Sequence, residues 1–467
     1  MATLPFTGGF YALPDTSVSN QRCVNLWTHI SEGASETQEQ LLGVQGITTL
    51  GDTSYGETRG SIVFQNELYR VDGQNFVKID VNNTVTNYGT ISGFGLVSIA
   101  ENGESICIVD PNGHSYFYDT TNGLVQITDA DYTSFGVARS VTYSDGFFLF
   151  NTDTVLFQSS LSTVNKGQNF NALEFEDAEQ FTDDLVRVIA SQGNVYAFGA
   201  LSYEIYRLKP SSTVNEFAFQ RVTAQNNERG LYGRFNVFTA ESALYFIGGG
   251  SNEAWSVWEL RGATPKKIST DAIDILINDS VSSNLNLDFG WHYAKDGQFF
   301  RGFTFSSTSI VYNSRTQRWC EFQSGGTGWS VKTIDAIYSR LMMSDDSGKF
   351  GEMDSNVYTQ WGETVFDYFT TQPFANGQAA FGVQTLEAIC QAGVGNSDSE
   401  SPTIAMSFSR DGVSFGNERY RDLGEAGQRS KRQVWRNIGR MDDSVVFRFA
   451  FAEPCRKAFI GLQADFI

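Results

Sequence analysis

The chain has 467 residues, 53 of them acidic and 33 basic, which gives a net charge of −20 and a pI near 4.6. That balance excludes binding to nucleic acid through a general basic surface. Five scattered cysteines (Cys23, Cys107, Cys320, Cys390, Cys455) without a CxxC pair exclude a disulfide framework and fit synthesis in a reducing compartment.

His29, His114 and His292 share no ligand spacing, so no metal and no cofactor is expected. Met1 to Phe6 has no basic stretch ahead of an apolar run, so no signal peptide is expected, and no run of about 18 apolar residues marks a membrane span.

In chain order, residues 1–55 read as a preface. Arg22 to Trp27 is a short strand ending in a large aromatic, Ser31 to Gln40 a polar loop, and Gln38 to Leu42 fits one helical turn. Leu41 to Val44 and Ile47 to Leu50 then lead onward. From Ser61 to Asp354 one phrase recurs: apolar strand, tight polar turn, aromatic-rich strand. Its turns are Gln65-Asn66, Asn102-Gly103, Asp145-Gly146, Gly193, Glu241-Ser242 and Asp296-Gly297, with a weaker seventh copy at Ser347-Gly348. Asn-Gly and Asp-Gly between apolar runs are strong hairpin signals, because type I′ turns need φ > 0. Intervals of roughly 37 to 55 residues point to propeller blades, which bury their faces only against one another. The alternative is a long β-sandwich with chance spacing.

Ser160 to Asp184 interrupts the series with Glu174, Glu176, Asp177, Glu179, Asp183 and Asp184. It reads as a solvated blade loop, since no D-x-D-x-D-G spacing supports calcium. Gly248-Gly249-Gly250 lacks the GxGxxG or GxxxxGK spacing of a phosphate cradle and reads as a blade turn. After about Tyr358 the strands lengthen and alternate, at Thr385 to Cys390, Thr403 to Phe408, Val445 to Phe451 and Ala458 to Leu462. This pattern suggests an antiparallel sandwich that an N-terminal strand would complete. The expected fold is therefore all-β, a β-propeller of six or seven blades inserted into a β-sandwich-like domain built from both chain ends. Residues 1–56 and 361–467 form the platform domain and 57–360 the propeller.

There is no GxSxG, no HExxH and no usefully spaced histidine, so no enzyme is expected. Ser409-Arg410-Asp411-Gly412-Val413-Ser414-Phe415 is similar to the Asp-box turn S-x-D-x-G-x-T-W, one residue short and with Phe for Trp; it reads as a structural hairpin. Arg429, Lys431, Arg432, Arg436 and Arg440 cluster around Trp435. They form either a solvated edge that deters strand addition or a contact face for an acidic neighbour, where Trp and Arg are the usual anchors. Arg429, Arg432, Trp435, Arg436 and Arg440 are the candidate assembly-interface residues.

Five further stretches, in order along nearly the whole chain, carry a resemblance. Gln21-Arg22-Cys23-Val24-Asn25-Leu26-Trp27 looks like Q-x-x-x-N-L-Y, and Leu42 to Ile47 looks like L-x-x-P-G-L with Gln45 in place of proline. Ser202 to Tyr206 is similar to S-x-E-x-W, followed by Arg229-Gly230, and Lys267 to Ile273 looks like R-I-S-T-x-A-I/V. Gln433 to Arg440 is similar to W-R-x-L-G-R. These are the motifs of the packaged-DNA stabilisation proteins of short-tailed phages, the tail hub or nozzle, which the chain resembles.

The resemblance implies a non-enzymatic structural protein of the virion tail, assembled in the host cytoplasm. It implies a homo-oligomeric ring, a hexamer, below the portal and its adaptor and in contact with other tail proteins such as fibres or spikes. Such a ring would retain packaged DNA and conduct it during ejection, the duplex passing without sequence-specific binding. The acidic pI fits this reading, since each phosphate contact adds a barrier to sliding. The lumen is expected to be neutral to acidic. The alternative, a propeller glycosidase or glycan-binding protein, requires clustered arginines, paired carboxylates and an export signal.

Overall fold

Turn chemistry sets the frame. Gln65-Asn66, Asp145-Gly146, Gln192-Gly193, Glu241-Ser242, Asp296-Gly297 and Tyr338-Ser339 all hold positive φ at both positions, as type I′ hairpins require. In the computed structural model, which describes residues 2–15, 19–33, 38–161, 169–177, 183–210, 215–222, 228–280, 288–377 and 379–467, each of these turns joins the first two strands of a propeller blade. In a further blade the first two strands are joined by the longer turn 102–105, in which Gly103 alone holds positive φ.

Seven blades result among the described residues. Blades 1 to 4 are separate four-stranded antiparallel sheets over residues 58–90, 98–126, 140–177 and 185–221. Blade 5 (230–267) has five strands, Gly230–Leu231 and Val237–Ala240 both pairing with Ala243–Gly249. Blade 6 holds Phe289–Lys295, Gln298–Thr304, Ser309–Asn313 and Arg318–Ser324. Blade 7 holds Thr333–Ile337, Arg340–Ser344 and Lys349–Asp354, and its hairpin turn is Tyr338-Ser339. The expected turn Ser347-Gly348 instead joins the second and third strands of that blade.

The first strands lie side by side around the ring axis, with blade 7 against blade 1. Side-chain hydroxyls stitch these inner strands together. Ser98 Oγ donates to the Val141 carbonyl and accepts from the Val141 amide, and Ser140 Oγ and Thr142 Oγ1 accept from the Val188 and Ala190 amides. At the closure Ser61 Oγ donates to Asp335 Oδ2 (2.6 Å).

The last strand of blade 7 is Gly46–Asp52, antiparallel to Lys349–Asp354. This corrects the expected boundary, which placed all of residues 1–56 in the platform domain. The strand departs the platform through Gly46, where an added Cβ would lie 2.5 Å from the carbonyl oxygens of both Val357 and Thr359, so only glycine fits.

Of the other N-terminal strands, Tyr11–Ala12 and Asn20–Gln21 pair only with each other, and the rest join sheets of the C-terminal region. Ala458–Phe466 pairs with Ala2–Thr3, Phe381–Cys390 and Glu39–Gly43, and Leu26–Ile30 pairs with Glu39–Gly43. Glu39–Gly43 is thus a strand where a helical turn was expected, because it completes a sheet that its local sequence does not announce. The facing sheet runs Arg419–Asp422, Thr403–Ser409, Ser444–Phe451 and Asp367–Thr370, then through Cys23–Val24 onto Arg318–Ser324, the outer strand of blade 6. Propeller and sandwich therefore share one continuous sheet. They also share one core, in which Leu26, Phe369 and Phe459 belong to the same cluster as Trp291, Phe322 and Trp329. Arg22 forks Glu321, fully buried at this seam, at 2.9 and 2.7 Å.

A ten-residue helix, Asp271–Ser280, was not foreseen; Thr270 starts it and Ala272, Ile273 and Ile277 pack beneath blade 5. Among the described residues no helix is long and apolar enough to cross a membrane.

Candidate assembly interface on the sandwich

Gln433–Met441 is the edge strand of its sheet, paired on one side with Phe381–Cys390. Its pattern starts as plain alternation, with Gln433 and Trp435 inward and Arg432 and Arg436 outward. A bulge at Asn437 (φ 54°) then turns Ile438 inward and leaves Arg440 outside.

Trp435 does not serve as the surface anchor expected of it. It is 0% exposed, its Nε1 donates to the Arg419 carbonyl (2.8 Å), and its ring meets Phe449 edge-on at 5.8 Å. An aromatic on the inward register of an edge strand fills the sandwich core, which adjacency to arginines in sequence conceals. Arg421 covers the ring at 5.7 Å and donates to the Val434 carbonyl.

The arginines do reach the surface. Arg432, 69% exposed, forks Glu387 at 2.7 and 2.6 Å, so its charge is internally answered. Arg429 is exposed on the loop before the strand, its stem against Gly393. Arg440, 77% exposed, lies 3.5 Å from the equally open Asp442, and its carbonyl accepts from Arg410 Nη2. Arg436 is exposed and has no ion pair among the described residues. Arg410 and Arg419 both flank the Phe408 ring, at 6.0 and 5.6 Å. Residues 401–467 contain 11 Lys or Arg against 8 Asp or Glu, a net +3, which leaves −23 on residues 1–400.

The aromatic that does stand among these arginines is Tyr420, 55% exposed, on Arg419–Asp422. Sequence reasoning missed it. The alternation Glu418-Arg419-Tyr420-Arg421 of a short edge strand was its only signal. Nearby, Asp411 Oδ1 accepts from Ser409 Oγ and from the amides of Val413 and Ser414 at 2.7 to 2.9 Å, and these bonds hold its carboxyl well below the usual range. Asn20 Nδ2 donates to the Gly412 carbonyl. The Asp-box-like stretch is thus a hairpin clamped to the N-terminal segment.

Elsewhere several carboxylates are engaged in internal hydrogen bonds. Asp183 accepts from the Leu201 amide and from Ser202, Glu174 from Gln158, and Glu204 from Tyr206; Glu179 lies outside the described residues. No group of three potential metal ligands occurs among the described residues. A cleft of about 380 Å³ opens where sandwich meets blade 6, lined by Trp27, His29, Tyr358 and Arg456. Within it Gln45 donates to Asp296 (2.6 Å) and Lys457 pairs with buried Asp367. Burial lifts that Asp367 carboxyl to about 6 against the opposing pull of Lys457.

A closed seven-bladed ring, stitched by one sheet to a sandwich with a basic edge, defines an all-β protein of the propeller–sandwich class. The chain belongs to the Bacteriophage P22 Gp10 family: residues 2–358 match its β-propeller and residues 368–466 its β-sandwich. It is 21% identical over 441 residues to the tail hub protein gp10 of Salmonella phage P22, covering 91% of this chain and 90% of that protein. Among solved structures, the WD40 propeller domain of Doa1 (TM-score 0.41, 9% identity) and YCF48 bound to D1 peptide (0.40, 10%) each cover 67% of this chain and 97% of their own. At those scores they add no argument.

Proposed function

We propose that the protein is a tail hub, a structural part of a phage virion tail. The observation that carries this reading is the family match, which runs through both domains and nearly the full length of chain and relative. The finer reading is a ring of copies below the portal and adaptor that retains packaged DNA and conducts it on ejection.

Charge distribution supports the finer reading. The exposed arginines of the sandwich edge give a basic face to a chain that is otherwise strongly acidic. Like-charged acidic surfaces repel, so copies and partners meet most readily where the sign reverses. Arg436, Arg440, Arg410 and Tyr420 suit such a contact, since Arg and Tyr lead interface anchors. Electron microscopy of the purified protein tests the ring, and of the virion its place. A ring with an axial channel, its sandwich edges at the subunit or adaptor contacts, is expected. A monomer in the virion, or arginine edges lining the channel, overturns the finer reading.

A further inference from the structure

In every blade the first strand runs the same way. The connections from blade to blade, and the turns between second and third strands, therefore leave at one end of the ring. That end is acidic. Glu57, Asp131, Asp184, Glu228, Glu253 and Asp346 of these segments are exposed, while every Lys and Arg among their described residues is buried or half-buried. Tyr55, Phe94 and Val137 stand exposed among the carboxylates. One line of contacts joins their segments: the Gly73 amide donates to the Glu57 carbonyl, Arg59 Nη1 to the Gly73 carbonyl, and Arg139 Nη1 to the Pro111 carbonyl.

Phe94 is the most prominent of the three, at 76% exposed, and the fold holds it there. Gly93 and Gly95 flank it at φ 94° and 73°. Arg59 Nε donates to the Gly95 carbonyl (2.6 Å) and Asn112 Nδ2 to the Phe94 carbonyl (2.8 Å). Beneath them buried Asp110 pairs with Arg59 (3.4 Å) and accepts from Asn112 Nδ2 (2.9 Å). A Cβ on Gly93 would lie 1.5 Å from Asp110 Oδ2, so the mount is close-fitting as well as bonded. A single exposed apolar side chain is ordinary, but one fixed in place by a buried ion pair is prepared for contact, because little ordering is left for binding to oppose.

The sandwich carries the complementary shape and sign. Leu4, Phe374, Phe381, Phe466 and Ile467 line an apolar groove of about 370 Å³. It borders the basic edge strand: Phe381 pairs with Met441, its neighbour Gly382 with Arg440, and Thr385 with Arg436. We infer that the groove receives Phe94 of a second copy of this chain, with the edge arginines meeting the carboxylates around that knob. Opposite charges would set the register and the buried ring would supply the anchor. A knob on one domain and a pocket on the other make a head-to-tail contact, the kind that closes into a ring when the rotation between copies allows it. The inference rests on the reading that copies of the chain form a ring, and it specifies the surfaces that meet.

The test is sedimentation of the full chain over a concentration series. Phe94→Ser and Phe466→Ser should each weaken self-association about tenfold or more. Val81→Ser, at an exposed apolar residue of blade 1 on the opposite end of the ring, should leave it unchanged. Melting curves confirm that the variants fold; should Phe466→Ser fail, Ile467→Asp, at an exposed position of the same groove, takes its place. The mixing arm excludes a merely structural effect. Phe94→Ser keeps its groove and Phe466→Ser keeps its knob, so the two together should form a heterodimer that goes no further. Self-association that survives in both variants, an equal loss in Val81→Ser, or no heterodimer on mixing overturns this contact and leaves the ring reading standing. A parent chain that stays monomeric at every concentration overturns both.

Discussion

Asn25 and Gln323 exchange two hydrogen bonds across the seam between sandwich and propeller. The Gln323 amide donates to Asn25 Oδ1 (2.8 Å), and Asn25 Nδ2 donates to the Gln323 carbonyl (3.1 Å). The side chain thereby mimics a strand edge. The same Nδ2 also reaches the Phe366 carbonyl (3.2 Å), so one carboxamide ties the propeller to the first sandwich strand. Asn25 sits at φ 55°, a conformation asparagine tolerates better than most residues.

Asn25→Ala should therefore cost about 2–4 kcal/mol, combining lost bonds to buried backbone with left-handed strain. Thermal melting should show the loss, and limited proteolysis should newly cut between residues 355 and 366. An unchanged melting curve would remove Asn25 from the seam.

Trp435 and Arg436 are neighbours in sequence with opposite duties, and substitution should separate them. Trp435→Ala empties the sandwich core and should cost about 3–5 kcal/mol. Arg436→Ala and Arg440→Ala should stay within roughly 0.5 kcal/mol of the parent, as exposed sites do, yet weaken assembly onto the portal–adaptor complex. Melting curves and co-sedimentation read the two effects. Normal assembly by both arginine variants would dismiss this edge as an interface.

Asp335 makes stability depend on pH. Desolvation at the ring closure raises its carboxyl from 3.8 to about 6, against the opposing Ser61 hydrogen bond and Arg70 charge. The folded state thus holds the proton more tightly than the unfolded chain. Its contribution is fully present below about pH 4 and is lost as pH rises through 6. Asp335→Asn, which still accepts from Ser61, should stabilise the protein by about 1–3 kcal/mol above pH 7 and by nothing below pH 4. A pH-independent difference in Tm would show that another effect dominates.

Gly46→Ala should be far more damaging than an exposed Gly→Ala change such as Gly33→Ala, because two carbonyls stand where the methyl would go. A cost of about 2–4 kcal/mol is expected, from strain in the strand that closes blade 7. Comparable melting of the two variants would contradict that close approach.

The hairpin phrase was legible because local chemistry writes it. Left-handed turn residues at Asp145-Gly146 or Asp296-Gly297 and alternating aromatics need no knowledge of distant partners. The seventh copy was misread at Ser347-Gly348 because Tyr338-Ser339 adopts the same turn without the usual residues, held by its blade. Long-range pairing was illegible for the same reason. Nothing in Gly46–Asp52 states that its partner is Lys349–Asp354. The resembling motifs proved to be joints: Asn25 at the seam, Gly46 at the crossing, Ser269 and Thr270 at the head of a helix. At the candidate interface the exposed arginines were readable from charge. The inward register of Trp435 and the outward one of Tyr420 were not, because a face is set by which neighbour a strand finds.

Closure of the ring by Gly46–Asp52 also imposes an order in time. The strand is made early, but its partner follows roughly 300 residues later, which at 5–20 residues per second is on the order of 15–60 s of synthesis. Until then an unpaired strand must wait without pairing elsewhere, a hazard for any open edge. The ring cannot lock on the ribosome until its last blade emerges. A nascent chain stalled short of Lys349 should therefore remain open and protease-sensitive, however well its first blades have formed.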